Sequence, residues 1–89
     1  MGKRTRLDII GDILSAIQDK GGRMKQTHIM YKANLSHSQL KSYLEELLDK
    51  EFIGTVKGKH NEYIIMKDKG YEFLEKFRQM KEFEKTFGL

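Results

Sequence analysis

Residues 27–50, THIMYKANLSHSQLKSYLEELLDK, constrain the fold more than any other part of this chain. Leu40, Tyr43, Leu44, Leu47 and Leu48 recur at the i, i+3, i+4, i+7, i+8 spacing that puts apolar side chains on one face of an α-helix. Ser36 stands just before the stripe, and Ser36-x-x-Gln39 is a capping box. In such a box the serine hydroxyl accepts from the N–H of residue 39, and the glutamine side chain returns to the N–H of residue 36. Upstream, Thr27 reads as the N-cap of a shorter helix whose Ile29, Met30 and Ala33 face inward. Asn34 suits a left-handed turn between the two helices. Two strand-like runs follow, Phe52 to Lys57 and Glu62 to Met66, joined by the turn sequence Gly58-Lys59-His60-Asn61. A hairpin this small must lie against the helices.

A further helix is expected on either side. Thr5 is an N-cap candidate with Asp8 as the acid of its capping box, and Leu7, Ile10, Ile13, Leu14 and Ile17 form one stripe up to about Lys20. Ile9 lies off that stripe, either as a partly exposed side chain or as a contact to a second subunit. Gly21-Gly22 ends the helix, because glycine enters the left-handed region without a Cβ penalty. Arg23-Met24-Lys25 has the length of a minimal strand. The last helix is expected from about Asp68 to Thr86. Its Phe73, Phe77, Met80 and Phe87 fit a heptad seam, interrupted by Glu84 with Phe83 beside it. That seam either folds back on the chain's own core or pairs with a second copy in a coiled-coil-like dimer. The dimer is the preferred expectation, because the preceding helices have a core to share among themselves.

Composition narrows the function classes. With 38% hydrophobic and 34% charged residues, the 89-residue chain suits one small soluble domain rather than a disordered one. It has no cysteine, hence neither a disulfide framework nor a thiolate metal site. Its apolar runs are far too short to span a bilayer, and the basic start MGKRTR leads into an amphipathic segment rather than a secretory signal. An intracellular, cytoplasmic and nucleoid-associated protein is expected. The net charge of +4 is unevenly spread: residues 1–44 carry eight Lys/Arg against three acids, residues 57–69 carry four against two, and residues 70–89 balance at four and four. Positive charge on the first helices and the hairpin points to nucleic acid. His28, His37 and His60 are scattered, with no i, i+4 pair for a metal. There is no glycine-rich phosphate loop, no G-x-S-x-G and no cysteine nucleophile. No enzymatic activity, metal or cofactor is expected.

The order of these motifs carries a resemblance. T-x-I-M-Y-K-A-N-L-S from Thr27 to Ser36, Tyr43-Leu44-x-x-Leu47, an aromatic-apolar strand start, and Lys69-Gly70-x-x-Phe73-Leu74 resemble the small archaeal winged helix-turn-helix DNA-binding proteins over essentially the whole chain. The resemblance implies an α+β, mainly α fold: a winged-helix part over residues 1–67 and a long C-terminal dimerisation helix over residues 68–89. It further implies that this helix pairs antiparallel in a homodimer, and that the protein binds duplex DNA as a transcriptional regulator or a nucleoid protein. This chain departs from the pattern at Glu51, where the family commonly has Gly, and at Lys67, where it often has Thr as a cap. Asp68 is the substitute cap candidate.

In this fold the second helix of the motif enters the major groove. The apolar stripe turns Ser38, Ser42, Glu45 and Asp49 outward, flanked by Gln39 and Lys41, with Ser36 and His37 at the start of the helix. Gln39 suits adenine unless its capping box occupies it, Lys41 a guanine or a phosphate, and the serines either. Glu45 and Asp49 repel phosphate, so the duplex is expected on the first two turns. Lys57, Lys59 and His60 on the hairpin are candidates for phosphate or minor-groove contact. Arg23, Lys25, Thr27 and Lys32 are backbone-contact candidates, and Lys3, Arg4 and Arg6 a basic arm. The candidate dimer residues are Ile9, Phe73, Phe77, Met80, Phe83 and Phe87. The rival function is a protein-interaction adaptor that uses the aromatic last helix. RNA binding is disfavoured, because no exposed aromatic pair on a sheet offers to stack bases.

Overall fold

A computed structural model of the chain describes residues 4–89. The elements follow in the order α1 (Arg6–Asp19), β1 (Arg23–Lys25), α2 (Gln26–Ala33), α3 (His37–Asp49), β2 (Ile53–Lys57), β3 (Glu62–Met66) and α4 (Asp68–Phe87). The strands make one antiparallel sheet in the order β1-β3-β2. Met24 sits opposite Ile64, and Thr55 pairs with the same residue from the other side.

Both expected capping boxes are formed. Thr5 Oγ1 accepts from the Asp8 N–H at 3.0 Å, and Asp8 Oδ2 accepts from the Thr5 N–H at 3.0 Å. Ser36 and Gln39 make the same reciprocal pair at the start of α3. The helix ends also share one device. A left-handed residue follows each helix: Gly21, Asn34, Glu51 and Gly88, with φ of 80°, 55°, 61° and 71°. At each end two backbone N–H groups fold back onto carbonyls of the last turn, as Phe52 N–H does to Leu47 O and Glu51 N–H to Leu48 O, both at 3.0 Å. These bonds satisfy carbonyls that the helix itself leaves open.

Three boundary expectations are corrected. Thr27 is not the cap of α2. Lys25 holds the cap position without a side-chain hydrogen bond, and Thr27 lies in the first turn. Lys25 is still extended because it pairs with Tyr63 in the sheet, so the helix can begin only where the strand lets go. Asp68 does not cap α4 either: Lys67 occupies that position with no side-chain bond, and Asp68 places its charge in the first turn, where the helix dipole favours it. The first strand of the hairpin begins at Ile53 rather than Phe52, because Phe52 closes the end of α3.

The core is built from Ile13, Leu14 and Ile17 of α1, Ile29 of α2, Leu47 of α3, Ile53 and Ile64 of the sheet, and Leu74 of α4, all essentially inaccessible to solvent. Burying side chains of this size stabilises by roughly 1.5–3 kcal/mol each. No polar or charged side chain among the described residues is buried with them. Leu7, expected on the same stripe, is exposed instead. It lies in the first turn of α1, outside the contacts that cover the rest of that face.

The long last helix divides its apolar face. Phe73 stacks on Phe52 with ring centroids 5.1 Å apart, and Phe77 follows at 6.1 Å from Phe73. Phe77 also packs over Gly11, where a Cβ would overlap its ring. The first half of α4 therefore packs on the chain's own α1. Beyond it Met80, Phe83 and Phe87 stay exposed, the last two at 58% and 65%, with their rings 4.9 Å apart. Ile9 is half-buried against the chain's own core.

Candidate nucleic-acid interface

The stripe that buries Leu40, Leu44 and Leu47 turns the opposite face of α3 to solvent, and His37, Ser38, Gln39, Lys41, Ser42, Glu45 and Asp49 are all exposed there. Gln39 is not free for bidentate reading. Its Oε1 accepts from the Ser36 N–H at 2.9 Å, and Ser36 Oγ accepts from the Gln39 N–H at 3.2 Å. Reading adenine requires both ends of the amide, and here the acceptor end is engaged. Ser36 Oγ also lies 3.4 Å from Ser38 Oγ, so these two hydroxyls form one small polar cluster at the start of the helix.

Lys41 stands on the flank of α3 that faces α2. It lines a trough of about 360 Å³ between the two helices, together with Thr27, His37, Met30, Leu44 and Leu48 among others. Three of the expected contact residues, Thr27, His37 and Lys41, are thus brought to one place. The first-turn amides of α2 carry no side-chain cap, and such open N–H groups suit phosphate oxygens. Lys32 is not part of this group. It lies in a separate depression with Lys20, His28 and Tyr31.

The hairpin between β2 and β3 closes through Gly58 N–H to Asn61 O at 2.6 Å. Lys57, Lys59 and His60 are exposed on it. Arg23 lies on the sheet with its guanidinium 4.1 Å from the centre of the Tyr63 ring, a cation–π contact. Lys25 is half-buried opposite Tyr63.

The expected basic arm is largely spent inside the molecule. Arg4 Nη1 donates to Ala33 O at 2.6 Å and to Asp12 at 2.9 Å, and Nη2 donates to Asn34 O at 3.1 Å. Arg6 pairs with Glu46 of α3. Lys3 lies outside the described residues. Neither the trough nor this tie is signalled locally in the residues, because both depend on how α1, α2 and α3 cross.

Three helices around a small antiparallel sheet, with a hairpin directly after the second helix of a helix-turn-helix, define a winged-helix domain. The profile of the winged helix-turn-helix family matches residues 3–85, and the chain belongs to that family. An uncharacterised protein of Methanocaldococcus jannaschii is 37% identical over 78 residues, which is 88% of this chain, and the chain spans 34% of that relative's length. Among solved structures, Sso10a-2, a DNA-binding protein from Sulfolobus solfataricus, is similar with a TM-score of 0.82 at 15% identity over 94% of this chain and 85% of that one. F93 from STIV, a winged-helix DNA-binding protein, is similar with a TM-score of 0.77 at 17% identity over 94% and 95%. At these identities the two structures speak for the fold.

Proposed function

We propose that this chain binds duplex DNA as a transcriptional regulator or nucleoid-type protein. In this reading Ser38, Lys41 and Ser42 of α3 enter the major groove, His37 and Thr27 meet the flanking backbone, and Lys57, Lys59 and His60 of the wing touch the adjacent phosphates. The observation that carries it is the convergence of Thr27, His37 and Lys41 on one edge of α3, with an exposed basic hairpin as the next element in the chain. The family, and the likeness in fold to Sso10a-2 and F93, both DNA-binding proteins, support it. Gln39 contributes its amide N–H groups only. Arg23, Lys25 and Lys32 are accessory charges, and residues 1–67 form the DNA-binding part.

The same reading makes the protein a homodimer. Phe73 and Phe77 serve the fold of each subunit, while Met80, Phe83 and Phe87 on residues 68–89 meet a second copy. The exposed ring pair Phe83–Phe87 also favours one rival, a protein-interaction adaptor in which those rings meet a different protein.

Fluorescence anisotropy with labelled duplexes of unrelated sequence, at two salt concentrations, tests DNA binding. Affinity should fall with salt at a slope of about −0.9 per neutralised phosphate. Lys41→Ala with Lys57→Ala and Lys59→Ala should weaken binding and flatten that slope by up to about 3. An unchanged slope removes these lysines from the interface. No binding at low salt leaves the adaptor.

A further inference from the structure

We propose that the trough between α2 and α3 is a binding site for a small aromatic monocarboxylate, and that its occupancy excludes duplex DNA. The exclusion rests on the DNA reading above; the site itself does not. Its volume of about 360 Å³ falls in the range of small-molecule sites. Its floor is apolar, made by Met30 of α2 and by Leu40, Leu44 and Leu48 of α3. Leu48 is 37% exposed and Met30 half-buried on a face that otherwise offers charge and hydroxyls. Phosphate gives such carbon nothing to gain, whereas a flat ring laid on it takes apolar surface out of water on both sides.

The rim fixes the charge of the occupant. Lys41 makes no ion pair among the described residues, and it stands on this rim beside His37 and Thr27. Glu45 lies one turn further along the same rim. A neutral hydrocarbon would cover Lys41 without a partner, which is costly. A dianion would bring its second charge against Glu45. One carboxylate on a ring satisfies both: it accepts a charge-assisted hydrogen bond from Lys41 and leaves the Glu45 end to the uncharged body. Because Lys41, His37 and Thr27 would serve ligand and DNA alike, each must weaken the other by the same factor.

The test is a titration of methyl-labelled protein with 2-naphthoate, and with naphthalene-2-carboxamide as its neutral counterpart, followed by NMR. The expected result is saturable shifts of the Met30, Leu44 and Leu48 methyls. The carboxamide should bind about tenfold more weakly, and Lys41→Gln should remove that preference. Shifts confined to Met80 and Leu89, or a carboxylate preference that survives Lys41→Gln, overturn the site. Saturating duplex should suppress the Met30 and Leu48 shifts; probe and duplex bound together overturn the exclusion. A protein that binds no duplex at all fails the DNA reading, and the methyl titration still decides the trough.

Discussion

Lys81 Nζ lies 2.7 Å from Oδ1 of Asp8, while the other oxygen of that carboxylate accepts from the Thr5 N–H at 3.0 Å. One side chain therefore starts α1 and anchors the middle of α4. The Lys81 bond is the largest cause, followed by the Thr5 N–H and then the Thr5 hydroxyl, that holds the Asp8 carboxyl down at about 2 from an ordinary 3.8.

A depressed acid adds stability that is complete above its unfolded pKa and is lost as pH falls through the folded one. The Asp8 contribution should thus be present above about pH 4 and disappear toward pH 2. Lys81→Met keeps the hydrocarbon stem and removes the charge. Carboxyl NMR should then show Asp8 titrating closer to 3.8, with a shallower loss of Tm between pH 4 and 2. An unmoved Asp8 midpoint would show that Lys81 does not hold it.

Glu51 adopts φ 61° at the end of α3, where Gly21 and Gly88 end their helices without a Cβ. Its one ion pair, with Lys67 at 3.6 Å, is solvent-exposed and of little worth. Glu51→Gly should relieve the left-handed strain and stabilise by up to about 1 kcal/mol, after the added freedom of the unfolded chain is counted. A fall in the urea midpoint would mean that the strain is not there.

Gly11→Ala tests whether α4 folds back on its own α1. Helix propensity alone predicts a gain of about 1 kcal/mol. The overlap with Phe77 should reverse that to a loss of about 1–3 kcal/mol. In a Phe77→Ala background the same change should become neutral or favourable. An equal loss in both backgrounds would place the ring elsewhere.

Glutamate serves in a capping box as glutamine does, so Gln39→Glu should keep α3 intact, with Tm close to the parent. On the proposed DNA reading it should nonetheless lower DNA affinity, because it removes two donors and adds a negative charge to the helix which that reading puts in the groove. Gln39→Ala should lose only the Oε1 bond to the Ser36 N–H and cost less than replacing the N-cap Ser36 itself, for which about 1 kcal/mol is typical. If Gln39→Glu leaves affinity untouched, residue 39 faces away from the duplex.

Phe83→Ser with Phe87→Ser should convert a dimer to a folded monomer by light scattering and leave the helical circular dichroism nearly unchanged. A protein that is already monomeric before substitution removes the second copy and favours the adaptor.

The helix-turn-helix and the hairpin were legible because each is signalled locally. The Ser36–Gln39 box and the leucine stripe specify α3, and Gly58 to Asn61 marks the turn. What stayed hidden depends on which element covers which. Phe73 and Phe77 read alike as a dimer seam or as core, since spacing names a face and not its neighbour. Gly11 was the available signal: a glycine inside a helical pattern costs helix propensity, and a packing reason can offset that cost. Arg4 and Arg6 read as a free basic arm because charge alone does not reveal that carbonyls and Glu46 wait across the fold. Thr27 was displaced as a cap by a strand only three residues long, too short to outweigh a good N-cap letter.

Arg4 serves the carbonyls of Ala33 and Asn34 from outside the motif, and Arg6 holds Glu46 in the same way. The helix-turn-helix here is consequently not a portable cassette. Transplanted as residues 26–50 onto another scaffold, it would arrive with the last carbonyls of α2 untended and Glu46 without its arginine, and the new host would decide the angle at which the two helices meet. A chimera meant to keep the two helices at their native angle has to bring Arg4 and the start of α1 along.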